Sequence, residues 1–119
     1  MVTPSAGAVV LLPFPFSDLS RSKLRPAVIL ADAGRDDWIL CQITSNPYGD
    51  MGAVALSDQS FRLGGVRRTS YARPGKLFTA NRDLMLRQVG VRESEVLKQI
   101  VNAVVELLRS GLKPKSHGS

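Results

Sequence analysis

The stretches LRPAVIL at residues 24–30 and QITSN at residues 42–46 set the architecture of this chain. Each reads as an apolar β-strand with polar residues at one end: Arg25 opens the first strand, and a Thr-Ser-Asn run closes the second. In an antiparallel hairpin, the start of one strand lies beside the end of the other. The pattern therefore predicts that Arg25 and Thr44 lie close together at one rim of a sheet. A permanent cation beside a hydroxyl and an amide suits the binding of a phosphate.

Further short apolar runs, separated by turn residues, predict a small and strongly bent sheet. Residues 8–12 read as a buried first strand, which Pro13 and Pro15 should end because proline cannot donate a ladder hydrogen bond. A polar loop is predicted over residues 14–24. The remaining strands are predicted at about residues 25–31, 38–44, 53–56, 71–79 and 85–89.

Two strand positions stand out. Pro74-Gly75 interrupts the strand over residues 71–79 and predicts a bulge or an edge there. Cys41 is the only cysteine, so the chain cannot form an internal disulfide. It alternates with Ile39 and Ile43 along its strand, which predicts a buried structural thiol.

Residues 94–110 carry apolar side chains at the spacing of one helical face and predict a C-terminal helix. Val96, Ala103 and Val105 widen the apolar surface, as expected either for a subunit interface or for a deeply buried helix. The predicted fold is mostly β with α: a small barrel of about six or seven strands with a C-terminal helix. Residues 1–112 are expected to form this single domain and residues 113–119 a disordered basic tail.

Composition indicates the kind of partner and the compartment. The 119 residues include 16 Lys or Arg and 10 Asp or Glu, a net charge of +6. This balance favours a polyanionic partner such as RNA, DNA or an acidic protein. No apolar run reaches the roughly 20 residues that span a bilayer, and no secretory signal precedes the first strand. We therefore expect a cytoplasmic protein that does not bind membranes.

The available side chains exclude several kinds of catalysis. The only histidine, His117, lies in the tail, so one chain cannot form a His–His pair, a Ser-His-Asp triad or a Cys-His dyad. The carboxylates form no compact cluster in the sequence, and we expect neither a metal ion nor another cofactor. An enzyme of this composition that acts on RNA has to rely on positioning and charge stabilisation. The neighbouring 2′-hydroxyl of RNA would then be the nucleophile.

Further motifs, in a fixed order, carry a family resemblance. They are VVLLPFPF at residues 9–16, GGVRRTSYARP at residues 64–74, KLFT at residues 76–79 and RQVG at residues 87–90. With the two stretches quoted first, the chain resembles the PemK/MazF family of toxin endoribonucleases over roughly residues 7–110. The resemblance implies an SH3-like barrel, similar to that of CcdB toxins, in a homodimer. It also implies a cognate acidic antitoxin that covers the basic groove and blocks RNA entry.

The resemblance implies that Arg25 and Thr44 are the catalytic pair. Arg25 would offer bidentate donors to the scissile phosphate and stabilise the added charge of the transition state. Thr44 would donate a hydrogen bond to a phosphate oxygen. Without the family framework, Arg25 reads better as a surface ion pair and Thr44 as a hydroxyl bonded to a turn. The implied reaction is metal-independent cleavage of single-stranded RNA, leaving a 2′,3′-cyclic phosphate (or a 3′-phosphate) and a 5′-hydroxyl.

Other residues are candidates for binding RNA around this pair. Phe16 could stack on an unpaired base or fold back onto the barrel. Ser45 and Asn46 could read base edges or shape a turn. Asp18 is the only acid in a loop where many family members carry a glutamate. Either Asp18 substitutes as the base, or the base comes from solvent or substrate, or activity is weakened. The candidate phosphate contacts, which a solvated basic face would explain equally well, are Lys23, Arg67, Arg68 and Arg73.

Two other functions stay open on the sequence alone. A CcdB-like toxin of the same fold would poison DNA gyrase by binding that protein, without catalysis. A binding module or a decayed toxin would hold RNA without cutting it. Arg25 and Thr44, which stand where the family has its catalytic pair, favour the nuclease.

Overall fold

The computed structural model describes residues 2–15, 22–46, 52–56, 70–92 and 94–112. The elements are β1 (Ala8–Pro15), β2 (Ser22–Gly34), β3 (Asp37–Thr44), β4 (Val54–Leu56), β5 (Ser70–Asn81), a 3-10 helix (Arg82–Leu84), β6 (Arg87–Val91) and α1 (Ser94–Ser110). Within the described ranges, the strands form one antiparallel sheet in the order β4-β5-β3-β2-β1-β6. The sheet curls into a half-barrel, which confirms the predicted mostly β class with a C-terminal helix.

Side chains alternate along each strand and divide the sheet into two apolar faces. On the first, called here the cavity face, Leu12, Ala27 and Leu40 belong to one buried cluster. On the second, the helix face, Cys41 packs with Ile100 of α1 in another cluster. Full burial of a side chain such as Ile100 contributes about 1.5–3 kcal/mol. A register error of one residue would exchange the two faces, so this burial also fixes the strand register.

The first strand continues past the point where its prolines predict an end. β1 pairs with β2 as far as Pro15, opposite Ser22, while its pairing with β6 stops at Leu11. Beyond Leu11, among the described residues, β1 therefore has a neighbouring strand on one side only. A proline at such an edge can direct its missing donor away from the ladder. The prediction that Pro13 and Pro15 end the strand is wrong for this reason.

The polar loop predicted over residues 14–24 is correspondingly shorter than expected. Its first two residues belong to β1 and its last three to β2, and residues 16–21 lie outside the described part. Residues 57–69 and the predicted tail at residues 113–119 also lie outside it.

β2 and β3 are joined by a two-residue turn, Arg35 and Asp36. Both residues have positive φ, 55° and 64°, as in a type I′ turn. Residues at the end of β5 support this turn: Asn81 Nδ2 donates a hydrogen bond to Asp37 Oδ1 over 3.0 Å, and the Arg82 guanidinium lies 3.3 Å from the Asp36 carboxylate. These contacts fix one end of the hairpin whose other end carries the candidate catalytic residues.

β5 contains the irregularity predicted at Pro74-Gly75. The ladder between β3 and β5 shifts register between Cys41 and Ile43, so that residues 73–76 of β5 face the single residue Gln42. Pro74 is fully buried. The predicted bulge is confirmed, and it interrupts regular pairing beside Gln42.

α1 buries Ile100 and Val104 but leaves other apolar side chains exposed. Four exposed apolar residues on α1 and the turn after it follow helical spacing and are called here the α1 stripe: Val101, Val105, Leu108 and Leu112. Of the two explanations for the wide apolar surface, a deeply buried helix is therefore wrong in the isolated chain. Among the described residues, no helix combines the length and apolarity that crossing a membrane requires.

Candidate active site

Arg25 and Thr44 lie on the cavity face at the same end of adjoining strands. Arg25 pairs with Leu12 of β1, a member of the cavity-face core. The register between β2 and β3 starts at Ala27 and Gln42, and the next residues on that face are Arg25 and Thr44 because side chains alternate. The recorded ladder stops at Ala27 and Gln42, and an extension of it by two residues would set Arg25 opposite Thr44. Both are half-buried, so each is anchored and still reaches solvent.

The hydroxyl of Thr44 takes part in a turn. Its Oγ1 donates a hydrogen bond to the backbone carbonyl of Asn46 at 3.1 Å and accepts one from the backbone amide of Asn46 at 3.2 Å. A side-chain-to-backbone pair of this kind ends the strand and fixes the threonine rotamer. This is the turn-bonded hydroxyl that the sequence predicts as the alternative to a phosphate contact. The hydroxyl can keep accepting from the Asn46 amide while its one hydrogen rotates from the Asn46 carbonyl to a phosphate oxygen, so part of the turn contact is compatible with a ligand contact.

Tyr71 extends this row of residues across the sheet. It pairs with Thr44 on one side and with Ala55 of β4 on the other. Directly opposed residues share a face, so the Tyr71 side chain emerges beside that of Thr44. Sequence reasoning missed Tyr71, since its pairing with Thr44 depends on the register shift in β5.

A cavity of about 490 Å³ lies on the same face, and Leu12, the pairing partner of Arg25, lines it. Its walls are mostly apolar and include the rings of Phe14 and Phe78. These rings meet edge to face, with centroids 4.7 Å apart and planes at 73°. The cavity therefore adjoins the Arg25 position and presents aromatic surface to a ligand.

Gln42 and Lys76 are polar residues of the cavity lining that sequence reasoning missed. Gln42 follows the buried Leu40 on the same face of β3. The sequence does carry a signal for Gln42: the alternation along β3 calls for an apolar residue at this position, and the chain has a polar one. Lys76 belongs to the bulge that faces Gln42, and no local pattern predicts that encounter.

The other predicted RNA contacts divide into described and undescribed residues. Ser45 and Asn46 follow Thr44 directly and are exposed. Lys23 lies in β2 with its backbone opposite Phe14 of β1. The remaining candidates lie outside the described residues: Phe16, Asp18, Arg67 and Arg68.

Cys41 is the buried thiol that the sequence predicts, with 0% of its surface exposed. Its Sγ donates a hydrogen bond to the backbone carbonyl of Arg73 over 2.9 Å. A thiol enclosed in this way is structural and not a nucleophile. Arg73 itself, a predicted phosphate contact, is half-buried within the bulge. In the part of the chain that the structure describes, no three His, Cys, Asp or Glu side chains converge as a metal site requires.

Comparison with known proteins gives a consistent result. The family model of PemK-like, MazF-like toxins of type II toxin–antitoxin systems matches residues 5–108. A chain of the MazE–MazF complex from Deinococcus radiodurans has the same fold at 22% identity, with a TM-score of 0.72 over 92% of this chain and 98% of that chain. A mycobacterial endoribonuclease in complex with its cognate antitoxin is 18% identical, with a TM-score of 0.68 over 92% of this chain and 96% of that one.

The Mycobacterium tuberculosis toxin MazF-mt6 also matches, at 14% identity and a TM-score of 0.68, over 86% of this chain and 96% of that chain. At these identities the structural matches establish the fold alone. No curated protein shows significant sequence similarity to the chain.

Proposed function

The chain belongs to the family of PemK-like, MazF-like toxins of type II toxin–antitoxin systems, and we propose that it is a metal-independent endoribonuclease for single-stranded RNA. The observation that carries the proposal is the common face and common strand end shared by Arg25 and Thr44. A relative named as an endoribonuclease has the same fold, which supports RNA as the substrate. The net charge of +6 suits a polyanionic substrate.

In the proposed reaction, the 2′-hydroxyl oxygen of RNA attacks the adjacent phosphorus, and the bond from phosphorus to the 5′-oxygen breaks. The products are a 2′,3′-cyclic phosphate, which water can open to a 3′-phosphate, and a 5′-hydroxyl. The 2′-hydroxyl loses a proton and the leaving 5′-oxygen gains one. Asp18, outside the described residues, is the local carboxylate that could accept the first proton, and Arg25 or water supplies the second.

Arg25 has the larger catalytic role in this proposal. The transition state carries more negative charge on the phosphoryl oxygens than the ground state does, and a preorganised guanidinium stabilises that difference. Its half-buried position strengthens the interaction, since a partly desolvated charge is less screened than an exposed one. Thr44 holds one phosphoryl oxygen and thereby fixes the orientation of attack.

We further propose an acidic antitoxin as the protein partner. The Deinococcus radiodurans match is a MazE–MazF complex, and the mycobacterial match is an endoribonuclease with its cognate antitoxin. An acidic segment lying over Arg25 would compete with RNA for the same positive charge. The further RNA contacts in this proposal are those expected from the sequence: Phe16, Lys23, Ser45, Asn46, Arg67, Arg68 and Arg73.

A homodimer is the proposed assembly, and the α1 stripe supports it. Val105, Leu108 and Leu112 expose 36%, 63% and 83% of their surfaces in the isolated chain. Pairing of two copies through these side chains would remove apolar surface from water, at about 25 cal/mol per Å². The expected compartment is the cytoplasm, where cellular mRNA is available to such a toxin.

The test of the nuclease is cleavage of a long RNA of defined sequence in EDTA, with mapping of the new ends. We expect discrete cuts with 5′-hydroxyl ends. Arg25→Ala should lower the rate about 100- to 1,000-fold, as removal of one transition-state donor does. The cleavage rate of Arg25→Lys should lie between those of Arg25→Ala and the unaltered protein, because lysine keeps the charge but cannot form the bidentate contact.

The matched control is Arg87→Ala, which removes an exposed arginine from edge strand β6. Its rate should equal that of the unaltered protein, and thermal unfolding should show all variants folded. Cuts that persist undiminished in Arg25→Ala would contradict the proposal. RNA that is bound but never cut would favour a binding module instead. The CcdB-like gyrase poison receives no support from the family match.

A further inference from the structure

We infer that the cavity on the cavity face binds one unpaired nucleobase of the RNA, next to the phosphate held by Arg25, and that Gln42 reads the edge of this base. The inference rests on the proposed function and names a specificity-determining residue for it. Its starting observation is a mostly apolar cavity of about 490 Å³ with Gln42 in its lining. Small-molecule sites of about 300–1,000 Å³ commonly combine apolar walls with a few polar groups that select the ligand.

The position of the cavity matches that of a base attached to a bound phosphate. Gln42 lies two residues before Thr44 on the same face of β3, which at about 3.3 Å per residue separates their Cα atoms by roughly 7 Å. Two strands away, on β1, Leu12 lines the same cavity and pairs with Arg25 of the intervening strand β2. A nucleotide whose phosphate contacts Arg25 can therefore extend its sugar and base into the cavity.

Different residues of the cavity lining can hold a base and select which base is held. Phe14 and Phe78 offer ring surface on which a base can stack, and stacking tolerates every base because each has a π-face. Selection then requires a hydrogen-bonding group. Gln42 is the one side-chain amide among the described lining residues, and an amide carries a donor and an acceptor side by side. The donor and acceptor of this amide can together form two hydrogen bonds to the edge of a single base.

The bulge in β5 explains why Gln42 is available for this role. Residues 73–76 face it together, so no single β5 residue stands opposite the amide in a regular ladder. Lys76 from the same bulge is exposed at the cavity. A cation at this position favours a nucleotide, with its phosphate, over an apolar side chain of a protein partner.

The test is a comparison of Gln42→Leu with the unaltered protein on a randomised single-stranded RNA pool, with sequencing of every new 5′-hydroxyl end. Leucine keeps the approximate volume of glutamine and removes both hydrogen-bonding groups. We expect the nucleotide preference at one position beside the cut to weaken by about 5- to 150-fold, the discrimination of one bidentate contact. Preferences at the other positions should stay as they are.

The matched control is Gln99→Leu, the same change at an exposed residue of α1, on the opposite side of the sheet. It should leave every position of the preference unchanged. A second readout is selection from a randomised 2′-O-methyl RNA pool, which lacks the nucleophile and reports binding alone.

The two readouts separate the two proposals. If Gln42→Leu cuts with the original preference, the base-reading role is overturned while the nuclease stands. The cavity would then be assigned to a side chain of a protein partner. If no RNA is cut but Gln42→Leu alters which 2′-O-methyl sequences bind, the nuclease fails and the base site stands. If the protein neither cuts nor selects RNA, both proposals are overturned.

Discussion

The thiol of Cys41 donates a hydrogen bond to the backbone carbonyl of Arg73 over 2.9 Å. This bond joins β3 to β5 where the ladder between them is interrupted. Gln42, the next residue along β3, has no single partner on β5 and lines the cavity. At the bulge, regular pairing between β3 and β5 is therefore absent and a cavity wall takes its place. The Cys41 hydrogen bond holds the bulged segment of β5 against the helix-face core.

Replacement of Cys41 by alanine should lower the free energy of unfolding by about 1–3 kcal/mol, because it removes a buried hydrogen bond and the packing of the sulfur atom. Cys41→Ser keeps a donor of similar size and should lose less. Urea unfolding measures both changes. Asn102→Ala, at an exposed position of α1, is the control and should shift the free energy by less than about 0.5 kcal/mol. An unchanged midpoint for Cys41→Ala would contradict the role given to this bond.

Thr44→Val should slow RNA cleavage by about 10- to 100-fold, since it removes a hydrogen bond to a charged group while keeping the side-chain shape. Thr44→Ser retains a hydroxyl and should recover most of the rate. Single-turnover cleavage of one RNA measures these rates, and Thr3→Val, at an exposed threonine away from the site, is the control. Thermal unfolding separates the catalytic effect from loss of the turn contact with Asn46. If Thr44→Val cleaves RNA at the unaltered rate, the Thr44 hydroxyl has no role in cleavage and serves only the turn.

Arg35→Gly should raise the stability by up to about 1 kcal/mol. Arg35 has a φ of 55°, a conformation that costs a residue with a side chain about 1–2 kcal/mol and costs glycine little. Part of the gain is offset by the greater freedom of glycine in the unfolded chain. The control is Arg87→Gly in β6, where glycine weakens a strand and should destabilise. If both variants lose stability equally in urea, the positive φ of Arg35 does not carry the energetic cost assigned to it here.

Features that depend on local interactions are predicted accurately from this sequence, and features that depend on long-range contacts are not. Helical spacing over residues 94–110 predicts both ends of α1, Ser94 and Ser110, and alternation predicts β3 to within one residue of Asp37–Thr44. These signals are local, since they depend on neighbours in the sequence. The bulge at Pro74-Gly75 is predictable for the same reason, because proline and glycine disturb pairing wherever they stand in a strand.

The features that sequence reasoning missed depend on long-range contacts. Pro13 and Pro15 are tolerated because the pairing of β6 with β1 stops at Leu11, and no local pattern reveals that boundary. The cavity draws its lining from β1, β3 and β5, and its shape depends on a register shift beside Gln42. The candidate catalytic pair was accessible from the sequence because Arg25 lies near the start of β2 and Thr44 ends β3, the next strand of the same hairpin.

Leu108→Glu should convert the proposed homodimer into a monomer. Leu108 lies in the α1 stripe and exposes 63% of its surface, so the charge costs the isolated chain little but would be buried without a partner charge in a dimer. We expect the dissociation constant, measured by sedimentation, to rise at least about tenfold, with unchanged circular dichroism. Gln99→Glu introduces the same charge on α1 away from the stripe and should leave the assembly intact. If Leu108→Glu stays as associated as Gln99→Glu, then α1 does not form the interface, and the stripe requires a different partner.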